Sequence, residues 1–145
     1  MSAPGRRGGG RSGVQFTLAP VNVPGFIARQ FYVSGSLRNT ADGFRLEAQN
    51  PMGDGVLVGV GRLRIDGNDI PADAVTATRN SSGEVFRAAE VSRSRPIQIK
   101  KGDRVTLQVA GQPLARGEHK LEVELHELNI GVLRLSLSDR LAAER

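Results

Sequence analysis

Residues 113–139 read PLARGEHKLEVELHELNIGVLRLSLSD, and two strands are written in them. In the first, Leu121, Val123 and Leu125 alternate with Lys120, Glu122, Glu124 and His126. In the second, Leu133, Leu135 and Leu137 alternate with Arg134, Ser136 and Ser138. Successive side chains of a strand point to opposite faces, so a period of two gathers the aliphatics on one face and the polar groups on the other. A strand of this kind lies with one side on a core and one side in water, the habit of antiparallel sheets. Glu127–Gly131 is short enough to close a hairpin, and Pro113 and Gly117 mark the turn into its first strand. A second sheet has to cover these leucines and valines.

Outward from this hairpin the same pattern recurs. Val105, Leu107 and Val109 alternate with Arg104, Thr106 and Gln108, behind a Lys101-Gly102-Asp103 turn, and Ile97 and Ile99 share a face. Val56–Asp66 (VLVGVGRLRID) is a strand region in which Gly59 and Gly61 leave room for a close neighbour or mark a bulge. No Gly-Lys-Ser/Thr and no helix follow its glycines, so it is not a phosphate loop. Phe44, Leu46 and Ala48 form another half-buried strand, entered through the turn Asn39–Gly43, whose Asp-Gly is a hairpin signal. Asp66–Asp69 is a second tight turn.

Other stretches give weaker patterns. Val14, Phe16 and Leu18 suggest a short first strand, and Phe26–Val33 (FIARQFYV) a further one. Phe31 and Tyr32 are neighbours there, so one ring of the pair faces the core. Residues 72–91 are the least legible. They hold an extended Val75–Ala77, a turn at Asn80–Gly83, a return to the core at Val85-Phe86, and scope for about two helical turns over Glu84–Val91. About eight short strands with Gly, Asp and Asn turns predict an all-β fold, an antiparallel β-sandwich of Greek-key character. The expected organisation is a disordered Gly/Arg-rich tail at 1–13, a sandwich domain at 14–139, and a C-terminal tail at 140–145 with one frayed helical turn.

The 145 residues suffice for one core without staples. Cysteine is absent, which excludes disulfides, thiolate metal sites and cysteine catalysis and suits a cytoplasmic setting. No apolar run reaches the roughly 20 residues of a membrane span, and no secretory signal is visible. The formal charge is +5, of which Arg6, Arg7 and Arg11 supply three, so the body is nearly balanced. The tail and the cluster Arg87, Arg93, Arg95, Lys100, Lys101 and Arg104 would be the footing for a nucleic-acid partner. The tail lacks aromatics and the cluster is diluted by Glu84, Glu90 and Asp103, so solvated surface is the expectation and no nucleic acid is called for.

Catalysis needs convergent groups of matched pKa. His119 and His126 fall on opposite faces of one strand and cannot act as a pair; His119, at the strand entrance, reads as a hydrogen-bonded structural residue. Glu118, Glu122 and Glu124 share a face, where a wet sheet surface is the plainer reading than a cation site. No serine sits in a nucleophile elbow. The residues alone describe a β-sandwich without a visible active site, suited to binding or accessory work. A carbohydrate-binding sandwich is one alternative, but Tyr32 is the only tyrosine and tryptophan is absent, so stacking platforms are scarce.

The segments GSLRNTADGFRLEAQNPMGDGVLVGVGRLRIDGNDIP, KKGDRVTLQV and PLARGEHKLEVELHELNIGVLRLSLSD resemble the β-subunit family of C-glycoside deglycosidases over about residues 26–139. The resemblance rests on Asp66-Gly67 after a strand, Gly102-Asp103 before another, and Gly117-Glu118-His119 opening the last hairpin. It implies a small β subunit of a carbon–carbon lyase acting on 3-oxo C-glycosides. It further implies a TIM-barrel α subunit as partner that binds the glycoside and holds a divalent metal, typically manganese, with no catalytic residue and no cofactor in this chain. The partner surface is then expected at the loop bearing Arg38, Asn39, Asp42 and Phe44, because arginine and aromatic residues dominate interface energetics. Phe44 has an equally simple reading as a core residue.

Overall fold

The computed structural model describes residues 19–142 and shows two antiparallel-rich sheets packed as a sandwich. The strands are β1 (Val21–Asn22), β2 (Arg38–Thr40), β3 (Gly43–Gln49), β4 (Gly55–Ile65), β5 (Asn68–Asp69), β6 (Val75–Arg79), β7 (Val85–Arg87), β8 (Ile97–Ile99), β9 (Arg104–Ala110), β10 (Glu118–Glu127) and β11 (Gly131–Arg140). One sheet has the order β1-β11-β10-β4-β5, with β8 also paired to β4; the other runs β2-β3-β9-β6-β7. Eleven strands stand among the described residues where about eight were expected, because β1, β5, β7 and β8 hold only two or three residues each.

The β10–β11 hairpin is as its alternation predicts. Leu121 faces Leu137, Val123 faces Leu135 and Leu125 faces Leu133 across it. Opposed pairs of this kind are the unit of sheet stabilisation. Leu121 joins Tyr32, Leu37, Phe44, Ile65, Val75 and Val109 in the buried cluster between the sheets. Leu37 is fully enclosed, at 0% exposure. Tyr32 is the core member of the Phe31–Tyr32 pair, and its hydroxyl donates to Asp139.

Four expectations are corrected. Phe26–Val33 is not a strand: Gly25–Ala28 form a short helix, α1, and Arg29–Phe31 a 3-10 turn. Pro24 has a φ fixed near the helical value, and its carbonyl accepts from the Ile27 and Ala28 amides, which starts the turn. This segment lies beside β11 and buries Ala28 while Phe26 faces water. Val85 does not return to the core but is exposed on the edge strand β7, while the Phe86 ring lies 5.4 Å from the Arg79 guanidinium. The helix expected over Glu84–Val91 is only the 3-10 turn Ala88–Glu90, since Val85–Arg87 is already paired with β6. The tail at 1–13 and the strand expected at Val14–Leu18 lie outside the described residues. At the other end Arg140 closes β11 rather than opening a helical turn. No helix among the described residues is long and apolar enough to cross a membrane.

Candidate functional site

The sandwich has two chemically different ends. One gathers the β3–β4 loop, the β8–β9 turn and the β10–β11 turn. Asn50 donates through its backbone to Asp103 O at 3.0 Å, Lys101 N donates to Asp54 Oδ1 at 3.0 Å, and Leu128 N donates to Val56 O at 2.9 Å. Three large apolar side chains stand in water there: Met52 at 62%, Leu128 at 45% and Ile130 at 51% exposure. The same end holds a shallow hollow of about 200 Å³ lined by Asp54, Gln98, Lys100, Glu127 and Asn129, among others.

Glu127 holds this end in shape. Its carboxylate is turned inward, 9% exposed. Oε1 accepts from Asn129 N at 2.7 Å and Ile130 N at 2.8 Å, and Oε2 accepts from Val56 N at 3.0 Å. Burial alone would raise its pKa, but the three amide donors outweigh it and hold the carboxyl below its ordinary value. The turn carrying Leu128 and Ile130 is therefore fixed to β4 by an ionised, fully engaged group.

The outer face of the larger sheet is a wet, charged surface. Glu124 accepts from Arg134 Nε at 2.9 Å and from Arg62 N at 3.4 Å. Burial acts to raise its carboxyl, and these partners bring it below the usual range. Gly59 and Gly61 do leave room for neighbours: a Cβ on Gly59 would meet His126 Nδ1 at 2.9 Å, and one on Gly61 would meet Glu124 Oε1 at 2.8 Å. The β4 register slips against β10 at the same place, so both roles expected of these glycines are filled. Glu118, Glu122 and Glu124 are not drawn into a metal cluster. No group of three or more His, Cys, Asp or Glu residues able to hold a metal occurs among the described residues.

The opposite end carries the residues named from sequence as a partner surface. Arg38 and Asn39 lie in β2, and Asp42 in the two-residue turn before β3. Asn39 is spent on the segment between β9 and β10: its Oδ1 accepts from Leu114 N at 2.8 Å and its Nδ2 donates to Leu114 O at 3.0 Å. Asp42 O accepts from Gly111 N at 2.9 Å. Phe44 as an exposed anchor is corrected, because its ring is in the core cluster at 4% exposure. The four residues form no exposed apolar contact point. His119 and His126 diverge as their spacing requires: His119, at this end, is buried and bonded to Asp66 and Ala115 O, while His126, further along β10, packs on the outer glycines.

Sequence reasoning missed Met52, Leu128, Ile130 and Glu127. Signals were present: Leu128 and Ile130 are aliphatic in a turn, and Glu127 falls on the inward parity of β10.

Fold and surface together define a β-sandwich domain with exposed apolar side chains at one end. The sequence profile of the family described as Hydroxymethylglutaryl-CoA reductase, N-terminal domain, matches residues 27–142, which run from within α1 to beyond the end of β11 and take in every strand of the sandwich except β1. The chain belongs to that family. No curated protein matches the chain. The family match overturns the resemblance to C-glycoside deglycosidase β subunits and, with it, the assignment to a carbon–carbon lyase. The motifs behind that resemblance, Asp66-Gly67, Gly102-Asp103 and Gly117-Glu118, are turns or strand entrances that many antiparallel sandwiches share. The barrel-shaped α subunit, its manganese and the glycoside substrate were implied by the resemblance alone and lose their support.

Proposed function

We propose that this chain is a docking module of a hydroxymethylglutaryl-CoA reductase assembly, which binds the polypeptide that performs the reduction. The contact is the sandwich end that presents Met52, Leu128 and Ile130. The observation that carries the reading is the pairing of exposure with rigidity: two of the three apolar side chains sit on a turn whose amides are held by the buried Glu127 carboxylate. A contact that is already ordered forfeits little conformational entropy on binding, so its apolar area is converted into affinity. Asp54, Lys100, Lys101 and Asn129 provide a polar rim around it, the usual anatomy of a protein interface. The family is named as the N-terminal domain of a reductase, which supplies the kind of partner. A cytoplasmic setting belongs to the same proposal, in keeping with the absence of cysteine.

The test is to mix the purified chain with a polypeptide carrying the catalytic domain of hydroxymethylglutaryl-CoA reductase and follow the mixture by size-exclusion chromatography with light scattering. A complex at micromolar concentration that Ile130→Asp disrupts, at an unchanged melting temperature, supports the proposal. Reduction of hydroxymethylglutaryl-CoA by the isolated chain, or independent elution of the two proteins, overturns it.

A further inference from the structure

The crossover Gly111–Gly117 carries the chain from one sheet to the other, and two side chains pin it. Asn39, from β2, brackets Leu114 with one accepted and one donated bond. His119, from β10, faces Ala115. Its ring is 8% exposed, with Nε2 2.7 Å from Ala115 O and Nδ1 2.6 Å from Asp66 Oδ2. The second Asp66 oxygen accepts from Lys120 N at 2.9 Å, and Asp66 N donates to Lys120 O at 2.9 Å. Asp66 itself sits in a left-handed turn conformation, φ 52°, so its carboxylate is placed by the β4–β5 turn.

A carbonyl oxygen and an ionised carboxylate oxygen only accept hydrogen bonds, and a neutral imidazole has one N–H to give. Both ring nitrogens of His119 face acceptors, so only the doubly protonated ring satisfies both. The Asn39 pin has no such dependence. We infer that His119 is a proton-operated latch. The imidazolium clamps Ala115 to Asp66, and loss of one proton releases the Gly111–Gly117 crossover on its β10 side while Asn39 keeps its hold at Leu114.

The charged groups around the ring are few. From the β4–β5 turn comes Asp66. From β11, Asp139 stands directly opposite His119 but is engaged by the Tyr32 hydroxyl and Gly35 N, and Arg140 stands opposite Glu118. From β10 itself come Glu118 and Lys120, and from the crossover Arg116. The hydrogen bond that the ring donates to Asp66 raises the histidine pKa most, burial lowers it, and the bond to Ala115 O raises it again, for a net value above the ordinary one. Asp66 is held below its ordinary value first by His119 and then by the Lys120 amide. With the folded pKa raised, the stabilisation is complete below the ordinary histidine value and is lost as pH rises through the folded value.

The experiment is a pH titration of the full chain by ¹⁵N imidazole NMR, alongside amide exchange normalised for intrinsic rates. The expected result is a His119 ring protonated on both nitrogens below its midpoint, with that midpoint above the ordinary value of about 6.5. Above that midpoint, amide protection at 115–118 should fall by up to about tenfold per pH unit, while Leu114 N stays held by Asn39. Asp66→Asn should lower the midpoint, and if that variant does not fold, the wild-type titration decides alone. A midpoint at or below about 6.5, or protection at 115–118 that does not change through the midpoint, overturns the latch.

Discussion

Glu127→Gln isolates the group that shapes the proposed docking end. The substitution keeps the size of the side chain but leaves it one accepting oxygen and one NH₂ group. In the less costly orientation the amide oxygen keeps Asn129 N and Ile130 N, and the NH₂ group meets Val56 N, which now has no acceptor. An amide left unsatisfied in a buried place costs about 1–3 kcal/mol. The two surviving bonds lose their charge, and each falls from about 2 to about 1 kcal/mol. Relief from burying a charge offsets part of this sum, so the expected loss is about 3 kcal/mol. At about 2–4 °C per kcal/mol for a chain of this size, the melting temperature should fall by about 6–12 °C. The pH dependence sharpens the test. The Glu127 carboxyl lies below its ordinary value in the folded state, so its contribution is present above the unfolded pKa and lost as pH falls through the folded one. Urea unfolding at about pH 7 and again at about pH 3 should show a gap between variant and wild type that closes in acid. A glutamine variant within about 0.5 kcal/mol of wild type at neutral pH, or a gap unchanged in acid, would refute the reasoning.

Other outcomes are equally specific. Gly43→Ala should be severely destabilising, by at least about 3 kcal/mol in urea unfolding, because φ there is +154° and the new Cβ would lie 2.0 Å from Val109 O, a backbone atom that cannot step aside. Arg79→Ala should cost about 2 kcal/mol in the same assay. It strips Asp103 of its ion pair and Gln98 O of a donor at 2.8 Å, where Arg79 ties β6 to the strand across the sandwich. Arg38→Ala, at the far end of the sandwich, should form the reductase complex with wild-type affinity in a calorimetric titration, and a tenfold loss there would move the interface to the β2–β3 hairpin.

Legibility in the sequence followed the length of the repeating pattern. β10, β11 and β9 repeat their alternation over several residues, and the Lys101-Gly102-Asp103 turn and the Glu127–Gly131 connection mark where the chain reverses, so these strands stand where the pattern puts them. The edge strands β1, β5, β7 and β8 are too short to carry a period and exist only because a long neighbour offers its backbone. α1 escaped notice for a related reason. FIARQFYV has the composition of a strand, and the start at Pro24 together with packing on β11 overrides it. The functional residues show a subtler limit. Parity places His119, Glu127 and Asp139 on the core face of their strands, and a charged or titratable group there has to find partners. The partners are backbone amides, a turn carboxylate 53 residues away in Asp66, and a hydroxyl in Tyr32, none of which leaves a local pattern. Gly59 and Gly61 announced that something comes close, but only the fold shows that it is His126 and Glu124.

Hydrogen exchange of the chain, alone and in the presence of a polypeptide carrying the reductase catalytic domain, tests the docking proposal most directly. Protection should rise at 50–56 and 128–131, the two segments that present Met52, Leu128 and Ile130. The β2–β3 hairpin and the outer face around Glu124 and Arg134 should exchange as in the free chain. Protection confined to that hairpin or that outer face, with 50–56 and 128–131 unchanged, would contradict the proposal.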